Sequence, residues 1–95
     1  MAIVELEAFA KLGKAPPSEG PYRIRIDRDQ FVVEEPCLTG RELLQLAGKR
    51  PPEQWMISQK LRGGQVVEIG LDEKADFTTP GVERFMTLPL DQTEG

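Results

Sequence analysis

The amino-acid sequence predicts an α+β domain in which one helix packs on a mixed five-stranded sheet. Three observations predict it: an alternating apolar and charged run at Tyr22–Ile26, a capped helix opening at Thr39, and three further β-favouring runs between Trp55 and Leu88.

In the first run Tyr22, Ile24 and Ile26 alternate with Arg23, Arg25 and Asp27. Period two with charges between is the pattern of a half-buried strand. A second run, Gln30 to Glu34, follows a very short turn read at Arg28-Asp29, with Phe31 and Val33 sharing its buried face. Two short strands with almost no loop make a β-hairpin, here without the preferred glycine.

Thr39 and Glu42 then form a T-x-x-E capping box, with Leu38 and Leu43 placed to close a hydrophobic staple. Leu43, Leu46 and Ala47 share one face, with Leu44 beside them. Gly48 suits a left-handed end and Pro51-Pro52 forbid continuation. The helix predicted here has roughly three turns and is too short to stand alone, so it must pack on the sheet.

Trp55, Ile57 and Leu61 keep one parity and mark a third strand. Arg62-Gly63-Gly64 supplies a turn, and Gln65 to Ile69 a fourth strand. Leu71 to Pro80 reads as a loop with a single helical turn near Phe77, and Val82 to Leu88 as the last strand. The expected core is Ile24, Ile26, Phe31, Val33, Leu43, Leu46, Ile57, Leu61, Val66 or Val67, and Phe85. Strand, strand, helix, strand, strand, loop, strand leaves few topologies, of which the β-grasp is the best known.

The domain so defined covers residues 22–89. Residues 1–21 read as an N-terminal tail in which Ile3, Leu6, Phe9 and Ala10 fall at helical spacing before Gly13 and Pro16-Pro17. A frayed end, a docking helix for a partner and a segment folded over the domain all fit that pattern. Residues 90–95 read as a flexible C-terminal tail, since Asp91 to Glu94 offer little apolar area to bury.

Composition excludes several functions. The 95 residues carry a formal net charge of −4, which disfavours nucleic acid or an anionic membrane as a partner. No apolar run approaches the roughly 20 residues needed to span a bilayer. Glu5 and Glu7 break the N-terminal apolar residues, so no secretory signal is expected and the cytoplasm is the default location. With no histidine and a single cysteine, Cys37, the chain has no Ser-His or Cys-His dyad, no His-ligated zinc and no internal disulfide. Glu34-Glu35 and Asp72-Glu73 read as solvated loop ends rather than catalytic pairs. The chain is expected to be no enzyme, with no metal and no cofactor of its own.

Several segments in this order resemble the bacterial multiubiquitin domain family. They are Tyr22-Arg23-Ile24-Arg25-Ile26-Asp27, then Thr39-Gly40-Arg41-Glu42-Leu43-Leu44 with Leu46-Ala47-Gly48-Lys49, then Gln59-Lys60-Leu61-Arg62-Gly63-Gly64, and Pro80-Gly81-Val82-Glu83-Arg84-Phe85 with Thr87-Leu88-Pro89. The resemblance implies a ubiquitin-like β-grasp fold. It also implies a bacterial operon, similar to antiphage defence systems, that encodes enzymes like ubiquitin-activating and ubiquitin-conjugating enzymes and a deconjugating peptidase. In such a scheme the carboxylate of Gly95 is activated with ATP and delivered to target proteins, forming an isopeptide bond. The partner enzymes would recognise Gln92, Thr93 and Glu94.

The ending Thr93-Glu94-Gly95 departs from the di-glycine of ubiquitin, and it counts against a sulfur carrier, which also ends in di-glycine. Leu61-Arg62-Gly63-Gly64 repeats the letters that end ubiquitin, but a cut there would remove two strands, so it reads as a turn. A non-covalent adaptor is the other reading, with a partner bound to the sheet face around Trp55, Ile57 and Leu88. Lys11, Lys14, Lys49, Lys60 and Lys74 are amines that could accept a second copy, with surface solubility their default role.

Overall fold

The structure, a computed structural model, describes residues 3–90. Its elements are β1 (Val4–Glu5), α1 (Leu6–Leu12), β2 (Tyr22–Ile26), β3 (Asp29–Val33), β4 (Cys37–Thr39), α2 (Gly40–Leu46), a 3-10 turn at Pro52–Gln54, β5 (Trp55–Leu61), β6 (Val66–Ile69), β7 (Lys74–Asp76) and β8 (Val82–Pro89). The five predicted strands are β2, β3, β5, β6 and β8. They form one mixed sheet that β1 extends to six strands, while β4 and β7 make a separate two-stranded ribbon.

The β2–β3 hairpin turn has the expected length but a shifted position. Ile26 pairs with Asp29, so the loop is Asp27-Arg28, one residue earlier than expected. Asp27 takes the left-handed conformation, φ 56°, that the missing glycine would have supplied. Its short polar side chain tolerates that region better than most.

One edge of β2 is taken along its length by β3. The other edge is shared. Val4 and Glu5 pair in parallel with Tyr22 and Arg23, while β8 meets β2 in parallel at Ile26 and Phe85. The segment Val4–Leu12 therefore enters where β2 and β8 diverge, and α1 lies against both strands. The helical spacing at the N-terminus is real. Leu6 and Ala10 are buried, and Phe9 packs against the core. Gly13 closes the helix in the left-handed region.

The capping box at α2 is complete. Thr39 Oγ1 accepts from Glu42 N at 3.1 Å and Glu42 Oε1 accepts from Thr39 N at 2.8 Å. Gly40 starts the helix against the β6–β7 loop, where a Cβ would come within 2.4 Å of Gly70 O. Arg41 bridges Glu53 and Asp72, tying the helix start to the 3-10 turn and to that loop. Each residue of Thr39-Gly40-Arg41-Glu42 thus has a local structural task.

Helix α2 has seven residues, shorter than expected, and buries Leu43 and Leu44. Leu46, expected in the core, is 37% exposed. The inward stripe is Leu43, Leu44 and Ala47, at i, i+1 and i+4, which leaves Leu46 at its edge. Ile24, Ile26, Val33, Ile57 and Phe85 are buried as expected, and Phe31 and Leu61 pack partly against them. On β6 it is Ile69 that is buried, whereas Val66 is 53% exposed and Val67 is half-buried.

Residues 71–80, read as a loop, hold β7, which pairs antiparallel with β4. This ribbon delivers Phe77, 0% exposed, between Tyr22 and Phe85, with ring centroids 5.8 and 6.0 Å away. Such tilted and edge-on contacts are favoured over face-to-face stacking. The β5–β8 pairing carries a bulge. Leu61 and Lys60 are consecutive, but their partners Val82 and Arg84 are separated by Glu83. The extra residue flips parity, so Val82 and Phe85 both face the core.

Candidate functional site: the open sheet face and the end of β8

Alternation assigns the two sheet faces. Tyr22, Ile24, Ile26, Ile57 and Phe85 point into the core, so Arg23, Arg25, Met56, Ser58, Lys60, Arg84, Met86 and Leu88 point to the opposite, open face. The register places Lys60 opposite Arg84, Ser58 opposite Met86, and Met56 opposite Leu88.

A groove of about 380 Å3 lies on this open face. Met56, Met86, Leu88 and Val66 give it apolar walls, and Asp27, Ser58 and Thr87 add polar atoms. Leu88 is 63% exposed and Val66 53%. Two methionines suit an adaptable binding surface because their side chains are unbranched and polarizable.

The groove ends at a polar clamp. Asp27 Oδ1 accepts from Thr87 N at 2.9 Å, and Asp27 Oδ2 accepts from Thr87 Oγ1 at 2.6 Å. Lys49 Nζ stands 3.9 Å from Asp27 Oδ2 and 4.8 Å from the centroid of the Trp55 ring. Three residues past Thr87, Leu90 N donates to Gln54 O at 2.8 Å. The last described residue is thus held beside the start of β5.

The residues singled out for a partner surface do not form one patch. Ile57 is 1% exposed and belongs to the core. Trp55 is half-buried, shares the parity of Ile57, and packs against the core and Lys49. Leu88 alone of the three stands on the open face. Its neighbours there, Met56, Met86 and Val66, were missed. The signal that finds them is the register with β5, which a single sequence does not print. Gln92, Thr93, Glu94 and Gly95 lie outside the described residues.

Arg62-Gly63-Gly64 forms the turn between β5 and β6, with both glycines at φ 96°. Cys37 is a half-buried free cysteine on β4. Among the described residues no acidic or cysteine cluster could hold a metal ion. No helix there is long and apolar enough to cross a membrane. Asp76 is held below the usual carboxylate range by hydrogen bonds from the Thr78 hydroxyl and amide. It lies on the ribbon, away from the groove residues.

A mixed sheet whose strands β2 and β8 meet in parallel near its centre, with α2 and the added α1 packed against it, defines a β-grasp domain of the ubiquitin-like class. The profile of the multiubiquitin family matches residues 22–89, and the chain belongs to that family. No curated protein and no solved structure matches the chain.

Proposed function

We propose that this protein is a ubiquitin-like modifier, used through the carboxylate of Gly95 and conjugated to target proteins by partner activating and conjugating enzymes. Membership of the multiubiquitin family carries the reading. The residue inventory supports it, because a chain with no histidine and one cysteine has little to catalyse with but can present a carboxylate. Glycine suits that task, since with no side chain it can enter a narrow channel and approach a nucleotide closely.

The chemistry belongs to the partners. A Gly95 carboxylate oxygen attacks the α-phosphorus of ATP and pyrophosphate leaves. A nucleophile on the partner enzyme then attacks the acyl carbon of the adenylate and AMP leaves. A target amine finally displaces that nucleophile and loses a proton as the amide forms. A peptidase would reverse the last bond with water. The bacterial antiphage setting and a cytoplasmic location belong to this proposal. The test is intact-mass and peptide mapping of cells that carry the chain with its neighbouring genes. Target lysines bearing a remnant that ends in Thr-Glu-Gly are expected. Abundant free protein with no such remnant overturns the modifier role.

The groove favours a second reading, a non-covalent adaptor. An apolar depression with Leu88 and Val66 more than half exposed suits a protein partner, whether or not the tail is also conjugated. Binding that survives loss of Gly95 would support it.

A further inference from the structure

Strand β3 borders the sheet. One side of it pairs with β2, and among the described residues no strand pairs with the other. The parity of the hairpin shows which backbone groups face outward. Val4 N donates to Pro21 O and Asp27 N donates to Phe85 O, so the odd-numbered positions along β2 turn their backbone groups toward β1 and β8. Tyr22, Ile24 and Ile26 therefore bond β3 through Val33, Phe31 and Asp29. Gln30 and Val32 direct their N–H and C=O groups away from the sheet.

Natural sheets guard such an edge with lysine, proline or a bulge. Residues 30–33, Gln-Phe-Val-Val, hold neither residue type, and the β2–β3 register runs without a bulge. Val32 is 50% exposed, Gln30 is exposed, and Phe31 is only half-buried on the core side.

The edge is also complementary to itself. Antiparallel pairing of two copies about Phe31 sets Gln30 of each opposite Val32 of the other. Both are outward-facing positions, so each such pair exchanges two N–H···O bonds. Phe31 meets its own copy at the two-fold axis, in the closely spaced position where side chains approach most. At the next outward position the turn residue Arg28 comes opposite Glu34. Both are exposed, and among the described residues neither has an ion-pair partner within the chain. A slip by one pair in one direction sets Phe31 opposite Asp29, and in the other direction Asp29 opposite Glu35, two like charges. The outer edge of β6 lacks this match. Leu61 N donates to Gln65 O, so Val66 and Glu68 face outward there, and no cation on that strand answers Glu68.

We propose that β3 is a homodimer interface, at which two copies of this chain pair antiparallel through Gln30 and Val32, centred on Phe31 and flanked by two Arg28–Glu34 ion pairs. The result is one sheet continuous across both copies. Its two-fold axis stands perpendicular to the sheet, so both copies turn their open faces to the same side. The dimer is independent of the Gly95 carboxylate.

The test is sedimentation velocity of the full chain from about 5 µM to about 1 mM, where a concentration-dependent monomer–dimer equilibrium is expected. Val32→Pro removes an outward N–H and no bond to β2, so it should weaken dimerisation about tenfold or more while the hairpin stays paired. Arg28→Glu and Glu34→Arg should each weaken it about tenfold. The two together should restore it, because the charges are then exchanged across the joint. That restoration stands as a test even if Val32→Pro folds poorly. Amide exchange at Gln30 and Val32 should slow as protein concentration rises. A monomer throughout the range, a dimer indifferent to both charge variants, or a dimer lost on Leu88→Ser but kept in Arg28→Glu overturns the proposal.

Discussion

The carboxylate of Asp27 accepts two hydrogen bonds from Thr87, at 2.9 Å from the amide and 2.6 Å from the hydroxyl, across 60 residues of sequence. It joins the β2–β3 turn to the far end of β8, just before the chain leaves the sheet. Asp27→Ala removes both acceptors and leaves an alanine in the left-handed region at φ 56°. The expected loss is about 2 kcal/mol, seen as a fall in Tm of roughly 10 °C for a domain of this size. Asp27→Asn keeps an acceptor and tolerates the turn, so it should lose less than half as much. Equal melting of the alanine variant and the parent would show that the clamp contributes nothing.

Phe77 provides a sharper test of the core. It is fully buried between Tyr22 and Phe85, so Phe77→Ala should destabilise by about 3–5 kcal/mol through lost burial and the cavity left behind. Leu43→Ala, also at a fully buried site, should lose about 2–5 kcal/mol. Leu46→Ala, at an exposed site, should change stability by less than about 0.5 kcal/mol. Chemical denaturation of the three variants checks the order, and a large effect at Leu46 would move the helix face.

These positions also mark where the sequence is legible. Period-two runs and the capping box carry their own physics, so β2, β3, β5 and the start of α2 are readable from neighbours in the chain. Phe77 is not, because the strand that delivers it is three residues long and gains its identity only from pairing with β4. The bulge at Glu83 likewise hides the parity of β8, and with it the pairing of Arg84 with Lys60. Leu88 belongs to the sheet face expected to bind a partner, but the groove around it depends on register across three strands.

Tyr22 is the sole tyrosine, so its ionisation can be followed directly by the tyrosinate absorbance band. Burial raises its pKa above the ordinary value of 10.0, with Asp76 and Glu19 adding in the same direction. The folded state therefore holds the phenol proton more tightly than the unfolded chain. That contribution to stability is fully present below pH 10 and is lost as pH rises through the folded pKa. Titration should show Tyr22 ionising late and together with unfolding. A reversible titration at the ordinary value, with the fold intact, would contradict its burial.

The N-terminal segment should behave as part of the fold. Leu6 and Ala10 are 1% exposed, and β1 fills the edge of β2 that β8 leaves open. Leu6→Ala is expected to destabilise by about 2–5 kcal/mol. A melting curve unchanged by that substitution would return the segment to the status of a tail. The lost Thr39 cap gives a smaller reference, about 1 kcal/mol for Thr39→Ala.

The functional prediction separates the tail from every side chain of the domain. If the chain is a modifier, the reacting group is the Gly95 carboxylate, and no side chain acts as acid, base or nucleophile in its activation. Deleting Gly95 should abolish adenylate formation by the cognate activating enzyme, measured as ATP–pyrophosphate exchange, while the melting temperature stays unchanged. Cys37→Ala should leave exchange and transfer at parental rates, because Cys37 is a half-buried residue with no histidine to pair with. Leu88→Ser should leave the chemistry of the adenylate intact and act only through recognition, raising KM with little change in kcat if the activating enzyme reads the groove. Conjugates formed at parental levels by the Gly95-deleted chain would remove the modifier role and leave the sheet face as the working surface.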